Sequence, residues 1–193
     1  LDRVGMTAAP RIVVTGKIPD AGLELLREVG DVWAWDRSQP VPADIRDAQL
    51  ANADVAVTLL TDRVDDTFLD AAPKLRIVAN VAVGYNNIDI AACQRRGVIV
   101  TNTPGVLTDA TADLAMALIL MSTRRLGEGE RLIRSGAPWQ WGMFMMLGVG
   151  LQGRRLGIIG MGAIGEALAQ RAKAFGMTVV YNNRRVIDAD TEA

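Results

Sequence analysis

Three glycines and their neighbours form the pattern in this sequence with the clearest chemistry. Gly160, Gly162 and Gly165 follow a short apolar run and lead into a segment whose apolar residues have helical spacing. In such a strand–turn–helix unit, the first glycine permits a tight turn, the second lets the backbone approach a pyrophosphate, and the third lets helix and strand pack closely. The free N–H groups and the positive end of the helix dipole would face the phosphates. We therefore predict a dinucleotide site, rather than tight packing alone, at Gly160, Met161, Gly162, Ala163, Ile164 and Gly165.

The residues after the next predicted strand bear on which dinucleotide would bind. NAD-specific sites place a carboxylate about 20 residues after the glycines, where it binds the ribose 2′-OH. Here the strand end reads Asn182-Asn183-Arg184-Arg185, and Asp188 and Asp190 come only later. Two guanidinium groups suit a 2′-phosphate, because each can form charge-assisted, bidentate hydrogen bonds to it. The arginine pair favours NADP over NAD, and the alternative is that the pair belongs to a solvated turn.

A second candidate site lies where the fourth predicted strand gives way to its helix. Residues 80–89 contain Gly84 and fall at the carboxyl edge of the predicted parallel sheet, which is where open α/β sheets bind ligands. Backbone N–H groups beside Gly84 could bind a carboxylate. A plain turn is the alternative that composition alone favours.

An apolar, methionine-rich segment with no clear period lies within residues 136–150. Its large side chains are Trp139, Trp141, Phe144, Met145 and Met146. In a monomer these residues would form a large exposed patch. Methionine suits adaptable interfaces, so we predict a subunit interface here. The alternative is packing against the segment's own domain.

Strand-like and helix-like runs alternate along the chain, which predicts a parallel sheet with helices on both faces. Asp20 and Thr108 are expected to cap helices, the second of which would run to about Leu126. We place a domain boundary near residue 106. Residues 7–106 would form one compact α/β domain. Residues 107–193 would form the N-terminal, truncated part of a Rossmann domain, whose complete sheet has six strands.

Composition narrows the class of protein. The chain has 193 residues, of which 50% are hydrophobic and 22% are charged, with a net charge of −1. These values predict a globular protein with no electrostatic footprint for nucleic acid or an anionic membrane, and no apolar run approaches the roughly 20 residues that span a bilayer. Cys93 is the only cysteine, so we expect a buried structural thiol and a cytoplasmic location. The chain contains no histidine, which excludes a histidine-based acid–base or metal site within these residues.

Taken together, the motifs resemble those of the D-isomer-specific 2-hydroxyacid dehydrogenases, especially the glyoxylate/hydroxypyruvate reductase branch. The matching stretches follow the family's order and are residues 59–62, 78–89, 97–105, 107–114 and 160–165. The resemblance implies a flavodoxin-like substrate-binding domain at residues 7–106, followed by the start of a Rossmann dinucleotide-binding domain. It also implies reversible hydride transfer between NAD(P)H and a small 2-oxoacid, and Asn183-Arg184-Arg185 is similar to the Ser/Arg cluster of NADP-using members.

The resemblance further implies roles for particular residues. Val83 and Gly84 match backbone positions that bind the substrate carboxylate, and Leu60 matches a wall of the substrate pocket. Leu107 and Thr111 match positions that contact the cofactor near the nicotinamide. The remaining match concerns the apolar segment: its Trp141 resembles a residue that reaches into the active site of the partner subunit in some reductases, so we expect a homodimer.

The sequence departs from the family pattern in its catalytic residues. The family's catalytic arginine, glutamate and histidine lie later in the sequence and match nothing in these 193 residues. Protonating the alkoxide requires a positioned acid, which contributes roughly 10²- to 10⁴-fold, and polarising the carbonyl requires the arginine. We therefore expect this chain to be inactive by itself. The alternatives for the parent protein are a phosphoglycerate, D-lactate or phosphite dehydrogenase, or a non-catalytic NAD(H)-sensing protein similar to the family's corepressors.

Overall fold

A computed structural model describes residues 9–187, which form two compact units. Contacts divide the chain into Leu1–Pro104 and Gly105–Ala193, close to the boundary expected near residue 106. Within residues 9–187, no helix is both long and apolar enough to cross a membrane, and no three acidic or cysteine side chains are grouped as metal ligands. Asp188 and Asp190, which the cofactor prediction considered, lie outside the described residues.

The first unit is a five-stranded parallel sheet with helices between its strands. Its elements are β1 (Arg11–Val14), α1 (Asp20–Val29), β2 (Asp31–Ala34), α2 (Ala43–Leu50), β3 (Val55–Leu59), α3 (Asp66–Asp70), β4 (Ile77–Val81), α4 (Ile90–Arg95) and β5 (Ile99–Thr101). The strand order is β2-β1-β3-β4-β5, and every pair is parallel. This is the flavodoxin-like order, so the expected fold class of the first unit is confirmed.

Helices cover both faces of this sheet, and successive residues of β1 are buried on opposite faces. Val13 is fully buried in a cluster with Leu50 of α2 and Phe68 of α3. Ile12 and Val14 point to the opposite face, where the apolar side of α1 packs. A strand buried on both faces needs apolar residues at every position rather than at alternate ones.

Cys93 lies fully buried in the same cluster as Val13. Burial raises the pKa of the Cys93 thiol, and the Asp89 carboxylate adds to this effect, whereas Arg96 opposes it. A buried thiol that stays protonated is chemically inert, in agreement with the structural role expected from the sequence.

The second unit contains a two-stranded parallel sheet within the described range. Its elements are α5 (Thr108–Thr123), α6 (Leu126–Arg134), β6 (Arg155–Ile159), α7 (Ala163–Ala174) and β7 (Thr178–Asn182). The strand–helix–strand unit is the Rossmann-type element expected from the glycine motif. Residues of α5 and α7 pack on one face of the sheet. On the other face Ile159 is 91% exposed and Val180 is 44% exposed.

Two helix caps differ from the sequence-based expectation. Asp20 is the first helical residue of α1, and Pro19 precedes it as the N-cap with φ −57°. Thr108 is likewise the first residue of α5, and Leu107 is the N-cap. Within the described residues, neither helix start has a side-chain cap hydrogen bond. The fixed φ of the proline sets the start of α1, so capping preference does not decide it.

The helix starting at Thr108 also ends earlier than expected. It ends at Thr123, where the hydroxyl donates to the Ile119 carbonyl at 2.7 Å. Arg125 then adopts a left-handed conformation with φ 56°, which breaks the helical path before α6 begins at Leu126. The expected single helix is therefore two helices that meet at a sharp turn.

Candidate functional site

The glycine turn joins β6 to α7, as the sequence motif predicts. Gly160 has φ +95°, which glycine adopts more readily than any other residue. A Cβ atom on Gly165 would lie 2.5 Å from the Gly160 carbonyl oxygen, so only glycine lets α7 begin this close to the turn. A Cβ atom on Gly162 would meet no described residue within 4 Å. Gly162 thus borders open space that a ligand could fill.

The backbone around this turn leaves a set of donors unused. The N–H groups of residues 161–165 find no hydrogen-bond acceptor within residues 9–187. By contrast, the Gly160 N–H donates to the Asn182 carbonyl and the Glu166 N–H donates to the Gly162 carbonyl, both at 2.9 Å. Unused N–H groups at a helix N-terminus favour a phosphate group. The turn therefore fits a pyrophosphate.

The residues predicted to bind a 2′-phosphate lie at the same edge of this unit. Ile159 and Asn182 pair across β6 and β7, so the segments that follow the two strands are neighbours. The Asn183 side-chain amide donates to the Met161 carbonyl at 3.4 Å, which connects them directly. Arg184 and Arg185 are exposed, and in the described part of the chain neither forms an ion pair. Their guanidinium groups remain available to an anion.

The two residues expected near the nicotinamide lie at the first turn of α5. Leu107 is the N-cap, and its carbonyl accepts a hydrogen bond from the Thr111 N–H at 2.9 Å. Both residues are exposed. Arg171 of α7 pairs with Asp109 at 3.1 Å and with Asp113 at 2.6 Å, which ties the start of α5 to α7.

In the first unit, Val83 and Gly84 follow β4 at the carboxyl edge of the sheet. Neither N–H has an acceptor within the range 9–187. The two carbonyls are held instead, because the Asn102 Nδ2 donates to the Val83 oxygen at 2.8 Å and the Asn80 Nδ2 donates to the Gly84 oxygen at 3.1 Å. Successive free N–H groups in a turn suit an anion such as a carboxylate.

Leu60 lies in the loop that follows β3, and its side chain is 61% exposed. The Asp62 carboxylate shapes this loop by accepting hydrogen bonds from the Leu59 N–H at 2.7 Å and the Thr15 hydroxyl at 2.5 Å. Thr15 directly follows β1, so its hydrogen bond to Asp62 joins the loops after β1 and β3. In a sheet of this order, the strand order reverses between β1 and β3, and ligands bind at such a point.

Sequence reasoning missed a set of polar side chains beneath these loops. Thr58 and Asn80 are buried near the carboxyl ends of β3 and β4, and the Thr58 hydroxyl donates to the Asn80 Oδ1 at 3.1 Å. Asn87 donates to the carbonyls of Leu59 and Asp62 at 3.2 and 3.0 Å. The sequence signal that could have revealed them is a polar residue within an otherwise apolar strand. A buried polar group needs a hydrogen-bond partner, so such a residue indicates a second polar group nearby.

The apolar segment divides into a packed part and an exposed part. Trp139, Met145 and Met146 line a cavity of about 340 Å³ together with residues of α6. Trp141 and Phe144 lie outside that cavity and are 79% and 81% exposed. Part of the segment therefore packs against its own unit, while its two most exposed rings lie largely uncovered by the described residues.

Known proteins share both the sequence and the fold. The glyoxylate reductase of Thermococcus litoralis is 46% identical over 180 residues, which cover 91% of this chain and 54% of that protein. The crystal structure of a Thermus thermophilus protein matches with a TM-score of 0.86 and 40% identity, covering 92% of this chain and 57% of that one. The NADPH-dependent glyoxylate/hydroxypyruvate reductase of Sinorhizobium meliloti, solved with NADP and malonate, matches with a TM-score of 0.71 and 34% identity over 94% of this chain and 56% of that one.

The matches cover most of this chain but only about half of each relative. This chain spans about half the length of the curated relatives it matches. The family model for the catalytic domain of the D-isomer specific 2-hydroxyacid dehydrogenases matches residues 12–191, which is most of the chain. The chain therefore belongs to the D-isomer specific 2-hydroxyacid dehydrogenase family.

Proposed function

We propose that this chain provides a dinucleotide site and a substrate-carboxylate site of an NAD(P)H-dependent 2-oxoacid reductase acting on glyoxylate or hydroxypyruvate. The observation that carries the proposal is the glycine turn at residues 160–165, where, among the described residues, open space at Gly162 adjoins N–H groups without acceptors. The name of the Thermococcus litoralis relative, a glyoxylate reductase, supports the substrate class. The bound malonate of the Sinorhizobium meliloti relative supports a small carboxylate ligand.

The first unit would bind the substrate through its backbone. In this proposal the N–H groups of Val83 and Gly84 donate to the carboxylate of the 2-oxoacid, and Leu60 forms an apolar wall beside it. A carboxylate strengthens both hydrogen bonds because it is charged, and two donors fix its orientation. Holding the substrate in one orientation lowers the entropic part of the barrier to reaction.

The second unit would bind the cofactor. The turn at residues 160–165 would hold the pyrophosphate, and Leu107 and Thr111 would contact the cofactor near the nicotinamide. Asn183, Arg184 and Arg185 would bind the 2′-phosphate of NADP, and the NADP-bound Sinorhizobium meliloti relative supports this preference. NAD is the alternative cofactor. When bound, the nicotinamide supplies the hydride that reduces the keto carbon of the substrate.

These 193 residues are expected to show no turnover of glyoxylate with NADPH when assayed alone. They contain no histidine to protonate the alkoxide, and the family's arginine and glutamate have no match among them. The measurement is NADPH oxidation, followed by absorbance, with glyoxylate, hydroxypyruvate, D-lactate and phosphoglycerate compared. Turnover by the 193 residues alone would contradict the expectation. If the natural protein continues as its relatives do, failure of that longer protein to oxidise NADPH with either glyoxylate or hydroxypyruvate would overturn the proposed function.

We also propose that the chain forms a homodimer through the exposed part of the apolar segment, with Trp141 reaching the partner's substrate site. Replacing both Trp141 and Phe144 with serine is expected to convert the dimer to a monomer, because both rings are largely exposed in a single chain. Sedimentation velocity across a micromolar concentration range measures the change. Leu25→Ser is the matched control, since Leu25 is an exposed apolar residue on α1. A wild-type chain that stays monomeric, or a double variant that stays dimeric, would refute this interface.

A further inference from the structure

We propose that Asn80 and Asn102 are positioning residues that set the direction of three successive N–H groups, at Val83, Gly84 and Tyr85. This inference rests on the proposed function, because it assigns that turn to the substrate carboxylate. It adds a third donor, Tyr85, to the carboxylate site, and it explains what keeps the donors aligned. Neither asparagine side chain would contact the substrate.

The geometry of the trans peptide bond links each carbonyl to the next N–H. In a planar trans peptide, the carbonyl of one residue and the N–H of the following residue point in opposite directions. The chain has no cis peptide bond in its described part. A hydrogen bond that holds a carbonyl in place therefore also fixes the direction of the next N–H.

Three consecutive carbonyls in this turn are held in this way. The Thr103 N–H donates to the Ala82 carbonyl at 2.9 Å, which directs the Val83 N–H. The Asn102 Nδ2 donates to the Val83 carbonyl at 2.8 Å, which directs the Gly84 N–H.

Asn80 fixes the third donor. Its Nδ2 donates to the Gly84 carbonyl at 3.1 Å, which directs the Tyr85 N–H. The Tyr85 N–H, like the two before it, finds no acceptor between residues 9 and 187. The turn thus presents three adjacent donors that no group of the described chain uses.

Asn80 is itself held by neighbours that leave it no freedom to rotate. It is 2% exposed, and its amide pairs reciprocally with the Asn87 amide at 3.2 and 3.3 Å. The Thr58 hydroxyl donates to its Oδ1 at 3.1 Å. Both hydrogens of the Asn80 amide are therefore used, one on Gly84 and one on Asn87. Flipping the amide would place its oxygen against the Gly84 carbonyl oxygen, and two acceptors facing each other in a buried site are costly.

The same asparagine pair connects the carboxylate turn to the Leu60 loop. Asn87 donates to the Leu59 carbonyl at 3.2 Å and to the Asp62 carbonyl at 3.0 Å, on either side of Leu60. The apolar wall and the N–H donors are therefore held in one arrangement by side chains beneath them. This accounts for polar residues in positions where an apolar core would otherwise be expected.

The test compares carboxylate binding by Asn102→Ala and Asn86→Ala. Asn102 is half-buried and holds Val83, whereas Asn86 is exposed in the same turn and has no side-chain hydrogen bond within the described range. The probe is oxalate, titrated into the ¹⁵N-labelled 193-residue chain, with the N–H resonances of the three donors followed by NMR. We expect wild type and Asn86→Ala to bind oxalate equally, and Asn102→Ala to bind about tenfold more weakly.

The possible outcomes separate this inference from the proposed function. If oxalate shifts the three resonances in wild type and Asn102→Ala binds equally well, the positioning role is wrong while the carboxylate site stands. If oxalate shifts none of them in wild type, the carboxylate site itself is wrong and the positioning role falls with it. Asn102→Ser, which keeps a shorter donor, provides a second variant should Asn102→Ala fold poorly, and we expect it to bind with intermediate affinity. A selective loss at Tyr85 in Thr58→Val would support the role of Asn80, and an unchanged Tyr85 response there would contradict it.

Discussion

Gly162→Ala is expected to weaken NADPH binding about 10- to 100-fold without lowering the stability of the chain. The backbone of Gly162 is extended, with φ −103° and ψ −170°, so alanine fits this conformation without strain. Its Cβ would meet no atom of residues 9–187 within 4 Å, so this part of the chain accommodates it. In the proposed complex the same methyl group would occupy space that the pyrophosphate needs. Isothermal titration with NADPH and thermal unfolding measure the two effects separately.

Gly165→Ala supplies the matched contrast for that experiment. Its Cβ would lie 2.5 Å from the Gly160 carbonyl oxygen and 3.4 Å from the Ile158 side chain, so either α7 or the turn must move. Overpacking of this kind costs about 1–3 kcal/mol, so Gly165→Ala should lose both stability and binding. Gly150→Ala, where the added methyl group would meet nothing in the described part of the chain within 4 Å, is the neutral control. Normal NADPH binding by Gly162→Ala would show that the open space at this glycine is not the pyrophosphate site.

Local features of the fold could be read from the sequence, because each depends on residues close together in the chain. The apolar run at Ile12, Val13 and Val14 predicts a strand covered on both faces, and the structure confirms it. The glycine turn could be predicted because strand, turn and helix all lie within one short segment. The strand order of the first unit was implied only by the family resemblance, since pairing between distant strands leaves no local pattern.

The side-chain contacts that hold the carboxylate turn could not be predicted in this way. Asn102 and Val83 are separated by 19 residues and meet only because β4 and β5 are adjacent in the sheet. The sequence shows Asn102 directly after β5, but not which carbonyl its side chain reaches. The cap expected at Asp20 was wrong for a related reason, because propensity describes a residue in isolation while Pro19 fixes the backbone there.

The preference for NADP over NAD leads to the second large expected effect. Replacing Arg184 and Arg185 together with alanine should weaken NADPH binding about 10- to 100-fold and leave NADH binding unchanged, because hydrogen bonds to a charged group contribute about 1.5–3 kcal/mol. The measurement is the ratio of NADPH to NADH dissociation constants. Raising the salt concentration should weaken the preference for NADPH over NADH in wild type more than in the variant, because salt screens exposed charges.

A second arginine pair in the same unit provides a control with the same change in net charge. Arg154 and Arg155 are exposed at the start of β6, whereas Arg184 and Arg185 follow the end of β7, so the two pairs lie at opposite ends of a parallel sheet. Removing Arg154 and Arg155 changes the net charge equally and should leave the NADPH to NADH ratio at its wild-type value. If both double variants weaken the two cofactors alike, the pairs act through net charge alone. If only the Arg184 and Arg185 variant loses NADPH, the 2′-phosphate is recognised at the carboxyl end of β7, next to the glycine turn that Asn183 already contacts.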